Sequence, residues 1–442
     1  MDTPLSANRR DFLKGATTAS AVLAAGAALN AHAQGTSDEI RVGVVGCGGR
    51  GSGAADNVLN SAPRVKIVAL ADVFEGQAKS LRNKIDNQFS KSNKVRELGN
   101  GGEITNDRMF VGLDAFQKLI DCPEVNYVIL ATPPGFRPMH IEAAVKAGKT
   151  LFTEKPVAVD PAGVRRVLAA ADEAKAKGLR VVAGTQRRHQ LGYVETVKRL
   201  HDGDLGTITG LRVYWNGQGI WFHKRKPDVT DVAYHLNNWY HFLWTCGDHI
   251  CEQHIHNLDV ANWVMQGPPI RCDGIGSRTP GNPSRPAGDP KDVGHIFDNF
   301  SIDYEYPGGV HMYSSCRHIP NTTNNVSEAV VGTNGVCQVD KYTIRGRRIV
   351  GREADRRATD PYVQEHTDLI AAVRETKPIN ELKQVAESTL TAIMGRMAAY
   401  TGRPVTWDFA MNSKLDTFPK NLTWDSKLEV EPTPVPGKTP LI

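Results

Sequence analysis

Glu252, His254, His256 and Asp259 fall within the eight-residue segment EQHIHNLD. Histidine titrates near neutral pH, and a neighbouring carboxylate can orient an imidazole and stabilise its cation, so the segment suits proton transfer. The H-x-H pair also offers two ligands from alternate positions to a metal such as zinc, although the spacing fixes no third ligand. His256 and Asp259 are three residues apart, and on a helix surface they could simply bond each other. The octapeptide alone leaves all three readings open.

A second chemical signal lies near the start of the chain. VGVVGCGGRG carries Gly46-x-Gly48-x-x-Gly51 directly after an apolar, valine-rich run. In a strand–turn–helix unit the first glycine makes the turn, the second lets a pyrophosphate approach the backbone, and the third lets helix and strand pack closely. The loop residues Gly46, Cys47, Gly48, Gly49, Arg50 and Gly51 are therefore expected against the phosphates of a dinucleotide, at the positive end of a helix. Asp72 closes the next strand-like run, 21 residues after Gly51. A carboxylate there can bond both ribose hydroxyls and repels a 2′-phosphate, which favours NAD over NADP.

These residues need a scaffold to position them. IRVGVVG, VKIVALAD (65–72), VNYVILATPP (125–134), TLFTEKP (150–156) and RVVAGTQ (180–186) read as strands separated by helical stretches. That alternation predicts a doubly wound parallel sheet over 38–186. Residues 88–107 are polar and glycine-rich and read as an insertion loop. After about residue 205 the pattern becomes strand-rich, in TITGLRVYWN, PIRCDGIGSR, HIFDNFSIDYEY, VHMYSSCRHI and EAVVGTNGVCQVD, with YPGG (306–309) as a hairpin turn. The expectation is an α/β chain: a Rossmann domain, then an α+β domain over 187–410 with an open, mostly antiparallel sheet and helices returning within 362–402. The proline-rich end is expected as an arm over 411–442.

With the glycine loop, the stretch ATPPGFRPMHIEAAVKAGKTLFTEKPVAVD resembles the glucose–fructose oxidoreductase/inositol dehydrogenase/MocA family. The matching residues are Thr132-Pro133, His140, Ala147-Gly148-Lys149 and Glu154-Lys155-Pro156, and GRPVTWD (402–408) is similar to the family's C-terminal sequence. The resemblance implies that Thr132, Pro133, His140, Glu154 and Lys155 lie against the cofactor, and that Lys155 polarises a substrate hydroxyl. EQHIHNLD then aligns with the family's D-x-G-x-H-x-x-D. That makes His256 the acid/base, Glu252 its orienting carboxylate, one methylene longer than the family's aspartate, and Asp259 a substrate contact. His254 stands where the family keeps glycine, and is expected to narrow the pocket, touch substrate or bind a metal. Members often associate through the open sheet, which implies a dimer or tetramer.

Tyr214, Trp215, Trp221, Tyr234, Trp239 and Tyr240 crowd one stretch with Asn216, His223, Asn237 and Asn238. Such residues can wall a sugar site or form an aromatic core. Trp221, His223 and Tyr234, with Arg187 after the GTQ strand, are candidate substrate contacts. The substrate class expected is a sugar, glycoside or cyclitol; rival readings are a glycosidase acting by transient oxidation, and a non-catalytic sugar-binding protein.

The formal charge of +5 is spread through a mixed pattern with no long basic run, which does not indicate a nucleic-acid partner. Seven irregularly spaced cysteines suggest no disulfide framework. The first 33 residues, with Arg9-Arg10, a weakly apolar stretch and Ala31-His32-Ala33, resemble a twin-arginine export signal rather than a stable membrane span. Export of a folded protein to the periplasm implies a tightly held cofactor.

Overall fold

The computed structural model describes residues 38–442; the expected export signal lies outside them. The first unit is a parallel sheet in the order Gly101–Gly102, Val65–Asp72, Ile40–Val45, Tyr127–Leu130, Thr150–Thr153, Val181–Ala183, with Met109–Val111 also pairing Val65–Asp72. Its central strands are Val/Ile/Leu runs because helices cover both faces. Two apolar clusters result, one on each side of the sheet. The 88–107 stretch is more ordered than its polar composition predicts: it contains a short helix, Asn93–Glu97, and pairs Gly101–Gly102 with the sheet.

The second sheet has nine strands. All its pairings are antiparallel except one, Ile208–Gly217 with Val310–His318. The YPGG turn joins Asn299–Tyr306 to Val310–His318, with Gly308 and Gly309 at φ 82° and 74°. Very short edge strands such as Val405–Thr406 carried no legible pattern.

Two helices cross the division drawn from sequence. Pro361–Arg374 places Leu369 and Ile370 in the apolar cluster of the first sheet. Leu382–Thr401 is buried over nearly its whole length, its polar Ser388, Thr389, Thr391 and Arg396 included. It packs against the first unit's helix Pro161–Ala176 and against strand Arg271–Ser277 of the second. Its Arg396 donates to the carbonyls of Val159 at 2.7 Å and Gly247 at 2.8 Å, tying the two units together at one buried guanidinium.

Candidate active site

A cleft of about 640 Å³ opens where the two units meet. One wall is the glycine loop. Gly46 has φ 90°, and a Cβ there would stand 2.7 Å from the Ala131 carbonyl carbon. A Cβ on Gly51 would lie 1.8 Å from the Gly46 oxygen, so this glycine lets helix Gly49–Leu59 seat on the strand rather than touching the cleft. Gly48 and Gly49 face open space. Among the described residues no side chain caps this helix, which leaves its first N–H groups available to an anion. Asp72 lines the same wall; its Oδ2 accepts the Cys47 N–H at 2.7 Å and its Oδ1 the Phe74 N–H at 2.8 Å. Burial raises the Asp72 pKa, and the backbone N–H bonds oppose that rise. Each oxygen keeps a second lone pair for a ribose hydroxyl. Open backbone at Gly48–Gly49, an uncapped helix and a fixed carboxylate fit a dinucleotide.

Arg50 reaches across to ion-pair with Glu154 and lies under the Tyr362 ring, 5.0 Å from its centroid. Burial opposes ionisation of Glu154, but Arg50, Lys155 and Arg137 outweigh it and hold the carboxyl below its ordinary range. Arg137 donates to the carbonyls of Glu154, Pro156 and Thr132, each at 2.6 Å, and so clamps the T-P and E-K-P loops together. The Lys155-Pro156 peptide is cis. His140 is buried on Phe116 with ring centroids 4.1 Å apart, and its Nδ1 meets the Thr132 hydroxyl at 3.2 Å. Burial, and then Arg137, lowers its pKa to about 3, so the ring is neutral.

The far wall carries the EQHIHNLD residues. The Lys155 ammonium donates to both the backbone carbonyl and the carboxylate of Glu252, the latter at 3.0 Å, and Gln253 donates to the other carboxylate oxygen at 2.6 Å. Glu252 therefore holds Lys155; it makes no hydrogen bond to His256, which corrects its expected orienting role. His256 sits on helix Ile255–Met265, stacked on the Trp215 indole at 5.6 Å, and lines the cleft with no protein hydrogen bond to its ring among the described residues. Burial, then the positive charges of Lys155, Arg187 and Arg50, drive its pKa well below the ordinary value. The ring is a neutral base facing the cleft.

Several sequence-expected residues lie elsewhere. Asp259 is 1 % exposed, takes a two-point bond from Arg188 at 2.8 and 3.0 Å, and accepts from Ser388 at 2.8 Å; it pins the site helix to its neighbours and does not reach the cleft. Arg187 is drawn to the buried Glu328 carboxylate and stacks between Tyr193 and Trp215. Tyr234 turns inward, giving its hydroxyl to the Asp292 and His223 carbonyls. The Cys47 thiol is buried beside the Ala71 carbonyl, its pKa raised by that burial. None of these four lines the cleft. His254 also points away: its Nε2 meets the Ser314 hydroxyl of the second sheet at 2.7 Å, and burial lowers its pKa to about 3. No group of three metal-ligating side chains occurs among the described residues. Trp221 and His223 do line the cleft, stacked on each other at 5.2 Å, and Trp239 and Tyr240, packed edge-on against Trp221, line it too.

Sequence reasoning did not single out Arg137, Gln253 or Tyr362. Arg137 lies within the quoted ATPPGFRP stretch, and Gln253 within the octapeptide. Tyr362 is 312 positions from Arg50, beyond any local signal.

Residues 40–182 match the model of an oxidoreductase family with an NAD-binding Rossmann fold, GFO_IDH_MocA. An inositol 2-dehydrogenase of Agrobacterium fabrum is 26% identical over 227 residues, which is 51% of this chain and 54% of that protein. One from Klebsiella pneumoniae (strain 342) is 30% identical over 150 residues, 33% and 37% of the two chains. The chain spans about half the length of the curated relatives it matches, or less. Among solved structures, the aldose-aldose oxidoreductase of Caulobacter crescentus complexed with glycerol aligns at TM-score 0.63 with 18% identity, covering 83% of this chain and 99% of that one. The scyllo-inositol dehydrogenase of Lactobacillus casei with NAD(H) and scyllo-inositol aligns at 0.59 with 17% identity, over 83% and 99%. At such identities the likeness is one of fold.

Proposed function

With the chain placed, through residues 40–182, in the glucose–fructose oxidoreductase/inositol dehydrogenase/MocA family of oxidoreductases, we propose that it interconverts a secondary alcohol and a ketone on a cyclitol, sugar or glycoside. The observation that carries this reading is the meeting of Lys155, Glu252 and a free His256 in the same cleft as the glycine loop. A nicotinamide dinucleotide bound there supplies the hydride acceptor. The substrate hydroxyl must also lose a proton, and His256, neutral and with no hydrogen bond to its ring among the described residues, takes it. The Lys155 ammonium stabilises the developing alkoxide, and Glu252 fixes the ammonium in place. Asp72 favours NAD over NADP. Trp221, a cleft-lining residue that is 38% exposed, offers an apolar platform for a sugar or cyclitol face.

Three further features belong to the same reading. The twin-arginine pattern supports export to the periplasm, and a cofactor that stays bound through turnover. Ile275, Tyr313 and Val326, exposed on strands of the second sheet, support association into a dimer or tetramer. The test is to denature purified protein, identify any released dinucleotide by mass, and follow NADH absorbance with a panel of cyclitols, aldoses and glycosides. A bound or added NAD reduced by a panel member is the expected result. Absence of dinucleotide binding, or of reduction by every member, overturns the reading.

A further inference from the structure

The C-terminal arm does not trail into solvent. It begins on the first unit, where the Thr417 N–H and hydroxyl both donate to Asp160 Oδ2 at 2.8 Å and the Leu415 carbonyl accepts from Ala162. It ends this crossing on the second unit, where the Leu428 N–H donates to Asp231 Oδ2 at 3.1 Å and the Leu428 side chain is buried. Between these anchors Phe418 packs edge-on against Phe136 of the first unit at 5.2 Å and Trp244 of the second at 5.7 Å. Trp424 meets Phe74 at 6.0 Å.

The surfaces that receive the arm are also cleft surfaces. Phe74, Leu113, Phe136 and Leu236 line the dinucleotide cleft and belong to, or pack against, the apolar cluster that takes in Phe418, Trp424 and Leu428. Phe74 is two residues after Asp72 and gives its N–H to that carboxylate. The arm therefore grips the ribose-facing side of the cleft from behind and bridges the two walls whose separation opens it.

We propose that segment 413–430 is a strap that controls residence of the nicotinamide dinucleotide. Lifting it exposes Phe418, Trp424 and Leu428, so the closed form is favoured and release is slow, which is where affinity is usually set. The proposal rests on the dinucleotide reading above and assigns its retention to particular residues.

The test measures NADH dissociation by stopped-flow fluorescence, chasing with excess NAD, in wild type and in Trp424→Ala and Phe418→Ala. Melting curves establish that each variant is folded. A rise of tenfold or more in dissociation rate, with association changed less than threefold, is expected. Hydrogen exchange of 413–430 in wild type, with and without NADH, reads the same coupling without a variant, and slower exchange with NADH is expected. Dissociation within twofold of wild type in a folded variant, or exchange of the segment unaltered by NADH, overturns the strap. Failure of wild type to bind any NADH would instead defeat the dinucleotide reading itself.

Discussion

Mild acid should unfold this protein, and the size of the effect follows from its buried imidazoles. His140, His235, His241 and His254 are lowered to about 3 and His295 to about 4, while His256, His318 and His366 lie well below the ordinary value; burial is the largest cause for each. Unfolded imidazoles bind protons near pH 6.5 and these folded ones do not, so the stability they allow is present above that pH and is lost as pH falls through it. Over the two pH units from 7.5 to 5.5 each ring held neutral costs roughly 1 kcal/mol, so the eight together cost on the order of 10 kcal/mol.

Groups whose folded pKa is raised oppose this; Asp72 and Glu328 are among them, and Glu365 and His189 are the most strongly shifted. Glu365, raised well above its ordinary value by burial and the nearby Glu154, keeps its proton more readily folded than unfolded and so returns stability as pH falls. His189, raised to about 10 against the cost of burial by its hydrogen bond to Asp368 and its ion pair with Glu381, returns roughly 1 kcal/mol. The net loss, on the order of several kcal/mol, is comparable to the whole stability of a typical folded protein, about 5–15 kcal/mol. Urea unfolding followed by circular dichroism at pH 7.5, 6.5 and 5.5 should show the midpoint falling steeply, with a net uptake of several protons per chain on unfolding at pH 5.5. A midpoint unchanged across that range, or uptake of fewer than two protons, would refute the claim that the fold holds these rings neutral.

Substituting Lys155→Met or His256→Gln should lower turnover by about 10²–10⁴-fold, with the folded state and dinucleotide binding retained, as read by single-turnover absorbance and fluorescence titration. Because His256 is already neutral, turnover in the folded protein should show no loss centred at pH 6.5 before unfolding sets in; a reversible step there without unfolding would contradict the site geometry. Asp72→Ser should reduce the preference for NAD over NADP, measured as a ratio of dissociation constants, by removing the charge that repels a 2′-phosphate. Asp259→Asn, which breaks the buried two-point pair with Arg188, should destabilise by about 3–5 kcal/mol in urea while leaving KM within twofold; a large KM change would return Asp259 to the substrate site.

Local pattern was enough for the parts of this protein whose physics is local. A glycine turn between a valine-rich strand and a helix needs particular residues at particular offsets, so Gly46-x-Gly48-x-x-Gly51 and Asp72 could be read directly. The same holds for the alternation of strands with helices in the first unit and for the YPGG hairpin in the second. Which polar side chain faces the cleft is a different matter, because each chooses among partners distant in the chain. Asp259 turns to Arg188, Arg187 to Glu328 and Glu252 to Lys155, since a buried charge without a partner is costly and the nearest opposite charge captures it. His254 and His256, two residues apart in the sequence, part company for the same kind of reason: the helix turn directs one ring to Ser314 of the second sheet and the other to the cleft. Only the packing of two sheets around Leu382–Thr401, with 413–430 laid across them, decided those destinations.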